Sequence, residues 1–238
     1  MSVIIVTGTG TEVGKTVVTA ALAALAADRG TTVAVVKPAQ TGVRADELGD
    51  VDLVRDLSGV GDVHELVRYG DPLAPVSAAR RAGRPTLDLA TVADTVHTLR
   101  ADRRLVLVEG AGGLLVRYDE AGATVADLAR MLKAPVLVVT TAGLGSLNAT
   151  ALTLEAMAHR GLDLAGVVIG SWPARPDLAA CSNITDLELL AARPLAGAVP
   201  AGAGLLDPQR FLGVARASLE PALGGAFDAA AFRARHAA

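Results

Sequence analysis

Cysteine is nearly absent from this 238-residue chain, and its one cysteine, Cys181, cannot form an internal disulfide. A basic cluster is also missing: the formal net charge is −3, and the 22 lysines and arginines are spread along the sequence. Without a basic field we expect no nucleic-acid partner. No apolar run reaches the roughly 18 residues of a membrane span, and the first residues enter an apolar strand without a signal-peptide pattern. We therefore expect a cytoplasmic protein with no membrane partner.

Lysine is scarce as well. The chain has only Lys15, Lys37 and Lys133, so arginine supplies almost all of its positive charge. A lysine in such a chain hints at chemistry, because its compact ammonium is not reproduced by an arginine fork. For Lys133, which precedes Ala134-Pro135 and a new apolar run, a solvated helix end is the simpler interpretation.

The chain is rich in apolar residues, which make up 51% of it, enough for one large domain over residues 1–238. Short apolar runs alternate with alanine- and leucine-rich stretches, which predicts an α/β fold with a mostly parallel central sheet flanked by helices. The strands are expected at 3–6, 33–36, 105–108, 136–139, 164–169 and 195–199. The helices are expected at 15–28, 51–58, 75–82, 88–100, 124–132, 146–159, 183–192 and 208–219. The tail from about 224 is either a terminal helix or a loose end.

The most informative segment runs from Val3 to Thr16, VIIVTGTGTEVGKT. An apolar strand enters a glycine-rich loop whose N–H groups can surround phosphate oxygens, Lys15 can reach the outer phosphates, and the Thr16 hydroxyl can bind magnesium. Thr9 stands where the strict pattern has its first glycine. A plain glycine-rich turn is the alternative, but the strand, loop and helix that the phosphate-loop motif requires are all present. The segment predicts a nucleoside triphosphate site.

Polar residues follow the other predicted strands, where ligands gather in parallel sheets. Lys37 leaves a buried strand and should meet an anion, either a ligand or a structural ion-pair partner. Glu109 ends another strand and could hold magnesium near Thr16, with the glycines after it allowing close backbone approach. An acid from the next segment could join them. Local chemistry does not choose among four candidates there, two of which could instead cap a helix: Asp46, Glu47, Asp50 and Asp52.

The turn at Gly143–Asn148 leads into a predicted helix. Its free N–H groups could receive a carboxylate, with the Ser146 and Asn148 side chains as further donors. Ordinary capping of the helix by Ser146 is the alternative.

Four segments together resemble dethiobiotin synthetase: Val6–Thr16, Lys37–Gly42, Val108–Gly113 and Leu144–Asn148. In order and spacing the resemblance covers about residues 2 to 210, and the displaced first glycine is similar too. It implies a P-loop NTPase fold, a homodimer, and an ATP-dependent ring closure in biotin synthesis. The implied substrates are 7,8-diaminopelargonic acid, carbon dioxide or bicarbonate, and ATP.

The resemblance also implies roles for individual positions. Lys37, Lys15 and Thr11 would be catalytic, and Thr16, Asp52 and Glu109 would hold magnesium; Asp52 is preferred because Leu53-Val54 resembles the family's helix start. Thr41 would contact the diamine, and the partner subunit would bind its carboxylate through Gly145, Ser146, Leu147 and Asn148. The ATP-binding positions would be Glu12, Val13, Gly14, Lys15, Thr16, Val17, Asp52, Glu109, Gly110, Ala111, Gly112, Gly170, Ser171, Pro200, Ala201 and Gly202.

Gly170 and Ser171 depart from the family, which often has an Asn-Asp pair there to contact the nucleobase, so other nucleoside triphosphates could replace ATP. Three other functions compete. A cobyrinate-type ligase generally needs a cysteine nucleophile, for which Cys181 lacks the setting. A partitioning-type ATPase carries an extra lysine early in the phosphate loop, which is missing here. A non-catalytic binding module would have little reason to keep Lys15, Lys37 and Glu109 together.

Overall fold

Strands and helices alternate within residues 2–237, which the computed structural model describes. The strands are β1 (Ser2–Gly8), β2 (Val33–Thr41), β3 (Val63–Tyr69), β4 (Leu105–Gly113), β5 (Val136–Thr140), β6 (Leu164–Trp172) and β7 (Gly197–Pro200). The helices are α1 (Lys15–Asp28), α2 (Asp50–Ser58), α3 (Pro75–Arg81), α4 (Leu89–Asp102), α5 (Val125–Leu132), α6 (Ser146–His159), α7 (Leu178–Ala191), α8 (Pro208–Ser218) and α9 (Ala229–His236).

The strands form one parallel sheet in the order β3-β2-β4-β1-β5-β6-β7. Strand β1 lies near the middle, between β4 and β5, so the loop that follows it opens at the centre of one sheet edge. The predicted α/β class is confirmed. All six predicted strands are present, because each is an apolar run long enough to be buried on both faces.

Helices cover both faces of the sheet and close two separate cores. Helices α1, α2 and α8 pack on one face around residues such as Leu25 and Phe211. Helices α4, α5, α6 and α7 pack on the other, around residues such as Val96 and Ile184. This three-layer arrangement hides the apolar strands and leaves the carboxyl ends of the strands as the open side of the molecule.

Aspartates set the starts of several helices. In α4, α7, α8 and α9 the carboxylate before the first turn accepts a hydrogen bond from a backbone N–H of that turn, and each such cap stabilises its helix by about 1 kcal/mol. The four caps are Asp88, Asp177, Asp207 and Asp228. The cap at Asp177 explains why α7 begins at Leu178, earlier than the predicted start at 183.

The expectation lacks one strand of the sheet and left the form of the tail open. Strand β3 is absent from the predicted set because it lies at the sheet edge, where its side chains are mostly half-exposed and where His64, Glu65 and Arg68 interrupt the apolar residues. The tail is a terminal helix, α9, whose Phe232 ring lies 4.9 Å from the Trp172 ring, with Phe227 buried beside it. Lys133 ends α5 in the left-handed conformation, as its interpretation as a helix end requires.

No helix in the part of the chain that the structure describes combines the length and the apolar character needed to cross a bilayer.

Candidate active site

The loop between β1 and α1 wraps tightly around the start of α1. Gly14 precedes the helix with φ of 94°, a conformation that favours glycine, and a Cβ there would lie 2.5 Å from the carbonyl oxygen of Gly170. The buried Lys15 side chain folds back and donates to the Gly10 carbonyl at 2.8 Å. Thr11 and Glu12 are exposed at the loop's outer edge. Loop, helix start and lysine thus form the cradle that the phosphate-loop motif predicts.

Charge and burial act together on Lys15. The pKa of Lys15 is lowered from 10.5 to about 8: burial is the main cause and the nearby ammonium of Lys37 the second, while Glu109 and Asp50 oppose both effects. An anionic ligand at this loop would favour the charged form of the lysine.

Glu109 joins the phosphate-loop helix to β2. In the middle of β4 it is almost fully buried, and its Oε1 accepts hydrogen bonds from the Thr16 hydroxyl at 2.9 Å and from Lys37 Nζ at 2.8 Å. Its Oε2 accepts no hydrogen bond from residues 2–237. Hydroxyl and carboxylate oxygens are the ligands that suit magnesium, so Thr16 and Glu109 could hold this ion.

Lys37 lies in the middle of β2, between two carboxylates; the strand continues past it to Thr41, beyond the predicted end at 36. Besides Glu109, its Nζ contacts Asp50 Oδ2 at 2.6 Å, and the lysine side chain is only 4% exposed. Burial by itself would lower the pKa of Lys37, but the charges of Glu109 and Asp50 outweigh it and raise the pKa, so the ammonium stays charged. Thr41 ends the same strand and is half-buried. A positive charge is therefore fixed beside the phosphate cradle.

Asp50, and not Asp52, is the second acid at this cluster. The Asp52 carboxylate faces away: its Oδ2 accepts the Gly49 N–H at 2.8 Å, and its Oδ1 contacts Arg55 at 2.8 Å. The Gly49 N–H is the main cause that holds the pKa of Asp52 low, and Arg55 adds to it. The expectation that Asp52 joins Thr16 and Glu109 thus lacks geometric support, because its oxygens are used to begin α2. Asp46 and Glu47 contact Arg44 in the preceding loop instead.

The glycine segment after Glu109 is fixed by a tyrosine that the sequence interpretation did not single out. The Ala111 N–H donates to the Tyr118 hydroxyl at 2.7 Å, and Tyr118 is fully buried. Burial raises the pKa of Tyr118, so the phenol stays neutral. Gly110 and Gly112 flank Ala111. Because the Ala111 N–H already donates to Tyr118, it is not available to a nucleotide.

The turn before α6 has free donors. The N–H groups of Leu147 and Asn148 make no hydrogen bond within the described part of the chain. Gly145 precedes the helix with φ of 92°, and Ser146 is the first helical residue, so its hydroxyl does not cap the helix. That hydroxyl instead accepts a hydrogen bond from the Asn183 amide at 3.0 Å. The open N–H groups at a helix start can receive an anion such as a carboxylate.

Asn183, on α7, holds this turn in place and was missed from the sequence. Its buried amide also donates to the carbonyls of Ala142 at 2.8 Å and Gly143 at 2.9 Å. An asparagine inside an apolar helix pattern carries no sequence signal for such a role.

The two segments expected near the nucleobase lie at the ends of β6 and β7. The backbone of Gly170 packs against the phosphate loop, where a Cβ would lie 2.0 Å from the Val13 carbonyl oxygen, while Ser171 is exposed. The Ala201 N–H donates to the Trp172 carbonyl at 2.8 Å, which joins the two segments. Pro200, Ala201 and Gly202 are exposed, so these positions offer mainly backbone groups and small side chains to a ligand.

Comparison with known proteins places these features in a family. The AAA domain family model matches residues 2–209. The chain is 83% identical over 237 residues to the ATP-dependent dethiobiotin synthetase of Parafrankia sp., with 100% of both chains covered. It is 72% identical to the corresponding synthetase of Frankia casuarinae, with 99% of each chain covered.

Similarity to solved structures supports the fold. The septum site-determining protein MinD of Pyrococcus horikoshii, solved with Mg-ADP, superimposes with a TM-score of 0.56 at 18% identity, covering 90% of this chain and 94% of that one. A ParA family ATPase of Chlorobium tepidum gives a TM-score of 0.55 at 14% identity, covering 94% and 95%. At such low identity the two structures show a shared P-loop fold.

Proposed function

Because this chain belongs to the ATP-dependent dethiobiotin synthetase family, we propose that its site closes a cyclic urea on 7,8-diaminopelargonic acid, with carbon dioxide and ATP as the other substrates. The chain is a ligase of biotin biosynthesis that uses ATP. We also propose a cytoplasmic location, where ATP is supplied.

The buried ammonium of Lys37 carries the proposal. It lies 2.8 Å from Glu109, whose same oxygen accepts the hydroxyl of Thr16 in the helix that follows the phosphate loop. A charge fixed there can stabilise negative charge that develops between a terminal phosphate and a second substrate. A protein that only bound nucleotide would not need a second buried lysine at this point.

The chemistry needs positioning and charge and no protein nucleophile. One amine of the diamine adds to carbon dioxide, loses a proton and becomes a carbamate. A carbamate oxygen then attacks the γ-phosphorus of ATP, and ADP leaves. The second amine attacks the carbamate carbon, loses a proton and expels phosphate, which closes the urea. Lys15, Lys37 and Thr11 of the phosphate loop would stabilise the anionic stages, and holding both amines makes closure intramolecular.

The metal ligands we propose are Thr16, Glu109 and Asp50. Their hydroxyl and carboxylate oxygens form the donor set that magnesium prefers. Asp50 replaces the expected Asp52 because only Asp50 contacts the cluster, through Lys37. When bound, magnesium neutralises charge on the outer phosphates of ATP.

The far end of the diamine needs a separate donor, because a long apolar chain separates its amines from its carboxylate. We propose that Thr41 lies near the amines, and that the carboxylate binds at Gly145–Asn148 of a second subunit. The open N–H groups of Leu147 and Asn148 support this role. The exposed side chains of Leu144 at the turn and Leu152 on α6 support a homodimer that covers them.

The nucleotide would lie on the phosphate loop from Glu12 to Val17, along Gly110–Gly112, and against two base segments. These segments are Gly170-Ser171 and Pro200–Gly202, which have few long polar side chains. We therefore propose that other nucleoside triphosphates can substitute for ATP.

Phosphate release tests the proposal. Purified protein with magnesium and ATP should release phosphate only when both 7,8-diaminopelargonic acid and bicarbonate are present, with one dethiobiotin formed per phosphate. Lys37→Ala should slow this release by at least ~10²-fold. Lys133→Asn is the matched control, because Lys133 ends α5 in a left-handed conformation that asparagine tolerates. Phosphate release that ignored the diamine would show that the assigned reaction is wrong.

A further inference from the structure

Arg68, on the edge strand β3, makes a set of contacts that the proposed reaction does not yet use. Its guanidinium holds Glu65 through two parallel hydrogen bonds, Nε to Oε1 at 2.6 Å and Nη2 to Oε2 at 2.8 Å. The remaining nitrogen, Nη1, donates to the backbone carbonyls of Arg44 at 3.0 Å and Glu47 at 2.6 Å. One side chain thus joins an edge strand to a separate loop.

That loop, residues 42–49, has neither helix nor strand and leads directly into α2. The guanidinium also lies close to the last residue of the loop: a Cβ at Gly49 would lie 2.7 Å from Arg68 Nη2 and 3.0 Å from Glu65 Oε2. The Asp52 carboxylate accepts the Gly49 N–H and lies 3.9 Å from Arg68 Nη2. The start of α2 therefore packs against the Arg68-Glu65 ion pair.

The residue that follows Gly49 is Asp50, whose carboxylate contacts Lys37 at 2.6 Å. Asp50 is held from its other side by the Gln40 side chain, which accepts the Asp50 N–H at 2.9 Å. The Asp50 side chain is 33% exposed, so solvent covers part of it. Its position depends on the backbone that carries it, and Arg68 fixes that backbone.

We propose that Arg68 is a positioning residue that holds the Arg44–Gly49 loop and thereby aims Asp50 at Lys37 and the metal position. This inference rests on the proposed role of Asp50 as a magnesium ligand. An arginine is required because the planar fork binds a carboxylate and two carbonyls at once, whereas a lysine ammonium cannot match both directions.

The first test needs no substrate. Hydrogen exchange of the peptide covering residues 43–50 should be about tenfold faster in Arg68→Lys than in the wild type, because the two loop carbonyls lose their donor. Arg84→Lys is the matched control. Arg84 contacts the same strand, donating to the Arg68 carbonyl at 2.6 Å and lying over the Tyr69 ring, and makes no hydrogen bond to residues 42–49. If Arg68→Lys fails to fold, Glu65→Gln loosens the fork while keeping the arginine.

The second test is a double-mutant cycle on diamine-dependent phosphate release. Arg68→Lys alone should raise the magnesium concentration for half-maximal activity about tenfold, a size usual for residues that orient metal ligands. In an Asp50→Asn background the same change should add almost nothing, since Arg68 acts through Asp50.

The outcomes separate this inference from the proposed function. Faster exchange with a non-additive cycle supports the positioning role. Unchanged exchange in residues 43–50, or full additivity of the two substitutions, overturns it. Faster exchange together with an enzyme whose phosphate release ignores the diamine overturns the assigned reaction and the link to Asp50, while leaving Arg68 as the anchor of the loop.

Discussion

At the scale of single residues, the decisive feature is a buried positive charge that two acids hold in place. Moving the Lys37 ammonium out of its site would be unfavourable, because this side chain, which is only 4% exposed, would lose its ion pairs with both Glu109 and Asp50. Conversely, removing Lys37 leaves the carboxylates of Glu109 and Asp50 without their shared cation. Their negative charges would then weaken the binding of any anionic substrate. The ammonium is therefore both a structural and a chemical part of the site.

Loss of Lys37 should show in turnover. We expect Lys37→Ala and Lys15→Ala each to lower kcat by at least ~10²-fold, the usual effect of removing a group that stabilises developing charge. Steady-state phosphate release measures this effect, and circular dichroism checks the fold. Near-normal turnover in a folded Lys37→Ala variant would contradict its catalytic role.

Asp50 and Asp52 should separate in a magnesium titration. We expect Asp50→Asn to raise the magnesium concentration for half-maximal activity by at least about tenfold, because a carboxylate beside the metal position becomes an amide. Asp52→Asn should leave that concentration unchanged and lower the free energy of unfolding by about 1 kcal/mol, since it weakens the start of α2. The reverse pattern would restore Asp52 as the ligand.

Gly170 bears on nucleotide choice. The Val13 carbonyl leaves no room for a side chain at this position, so an amide that reads the base cannot be placed here without moving the phosphate loop. We expect discrimination between ATP and GTP, CTP or UTP to stay below the ~10⁴-fold that a hydrogen-bonded reader can reach. Competition between nucleotides in the phosphate-release assay measures it. A preference for ATP above that value would mean that another group reads the base.

At the scale of helices and strands, the sequence predicts what repeats along the chain. The central strands are recognisable because burial on both faces demands continuous apolar runs such as Leu105–Val108. Edge strand β3 escapes this criterion, since one side of it meets solvent. The start of α7 escapes too, because the Asp177 cap lies several residues before the apolar pattern.

Prediction of the candidate site is limited in a similar way. Lys15, Lys37 and Glu109 are recognisable because each directly follows an apolar run or a glycine loop, although β2 and β4 continue past Lys37 and Glu109 in the structure. Which of Asp50 and Asp52 joins the site depends on which carboxylate accepts the Gly49 N–H at the start of α2. Two acids this close in sequence cannot be told apart by their pattern. Asn183 and Arg68 act from distant elements, so only the fold brings them to the loops that they hold.

The entrance of β3 has a pH-dependent anchor. Burial of Asp62 would raise its pKa, but hydrogen bonds from Arg103 at 2.5 Å and His64 at 2.8 Å outweigh burial and lower it. A carboxyl whose folded pKa is depressed stabilises the protein above its unfolded pKa, near 3.9, and loses this effect as pH falls through the folded value.

Urea unfolding should therefore show a wild-type advantage over Asp62→Asn of about 1 kcal/mol at pH 6, since the pair is largely solvent-screened. That advantage should shrink as the pH falls below about 4. Asp71→Asn is the control, because the Asp71-Arg81 pair is exposed on both sides. A difference for Asp62→Asn that stayed constant with pH would show that the carboxylate charge is not responsible.

At the scale of the whole molecule, the question is whether one chain is sufficient for activity. The proposed carboxylate turn lies on α6 and the phosphate cradle on α1, at opposite faces of the sheet. If a second subunit supplies the turn, each dimer holds two shared sites.

Mixing two inactive variants tests this arrangement. Lys15→Ala damages the phosphate loop, and Asn148→Asp places a negative charge at the open N–H groups of α6. Asn148 is exposed, so the substitution should leave the fold intact. We expect heterodimers of the two variants to regain activity in one of their two sites, while each variant alone stays inactive. Absence of recovery after verified subunit exchange would place the carboxylate site within a single chain.

The position of β1 in the sheet also bears on how the protein is made. Ile5 pairs with Val108 on one side, and its N–H donates to the Pro135 carbonyl on the other, so β1 is synthesised well before both of its neighbouring strands. Until β5 has been synthesised, one of the two strands that flank β1 and support the phosphate loop is missing. ATP, which stabilises only a folded site, cannot assist these early stages. The apolar strand β1 therefore lacks its sheet neighbours until the residues of β5 have been synthesised, and during that interval it is open to aggregation.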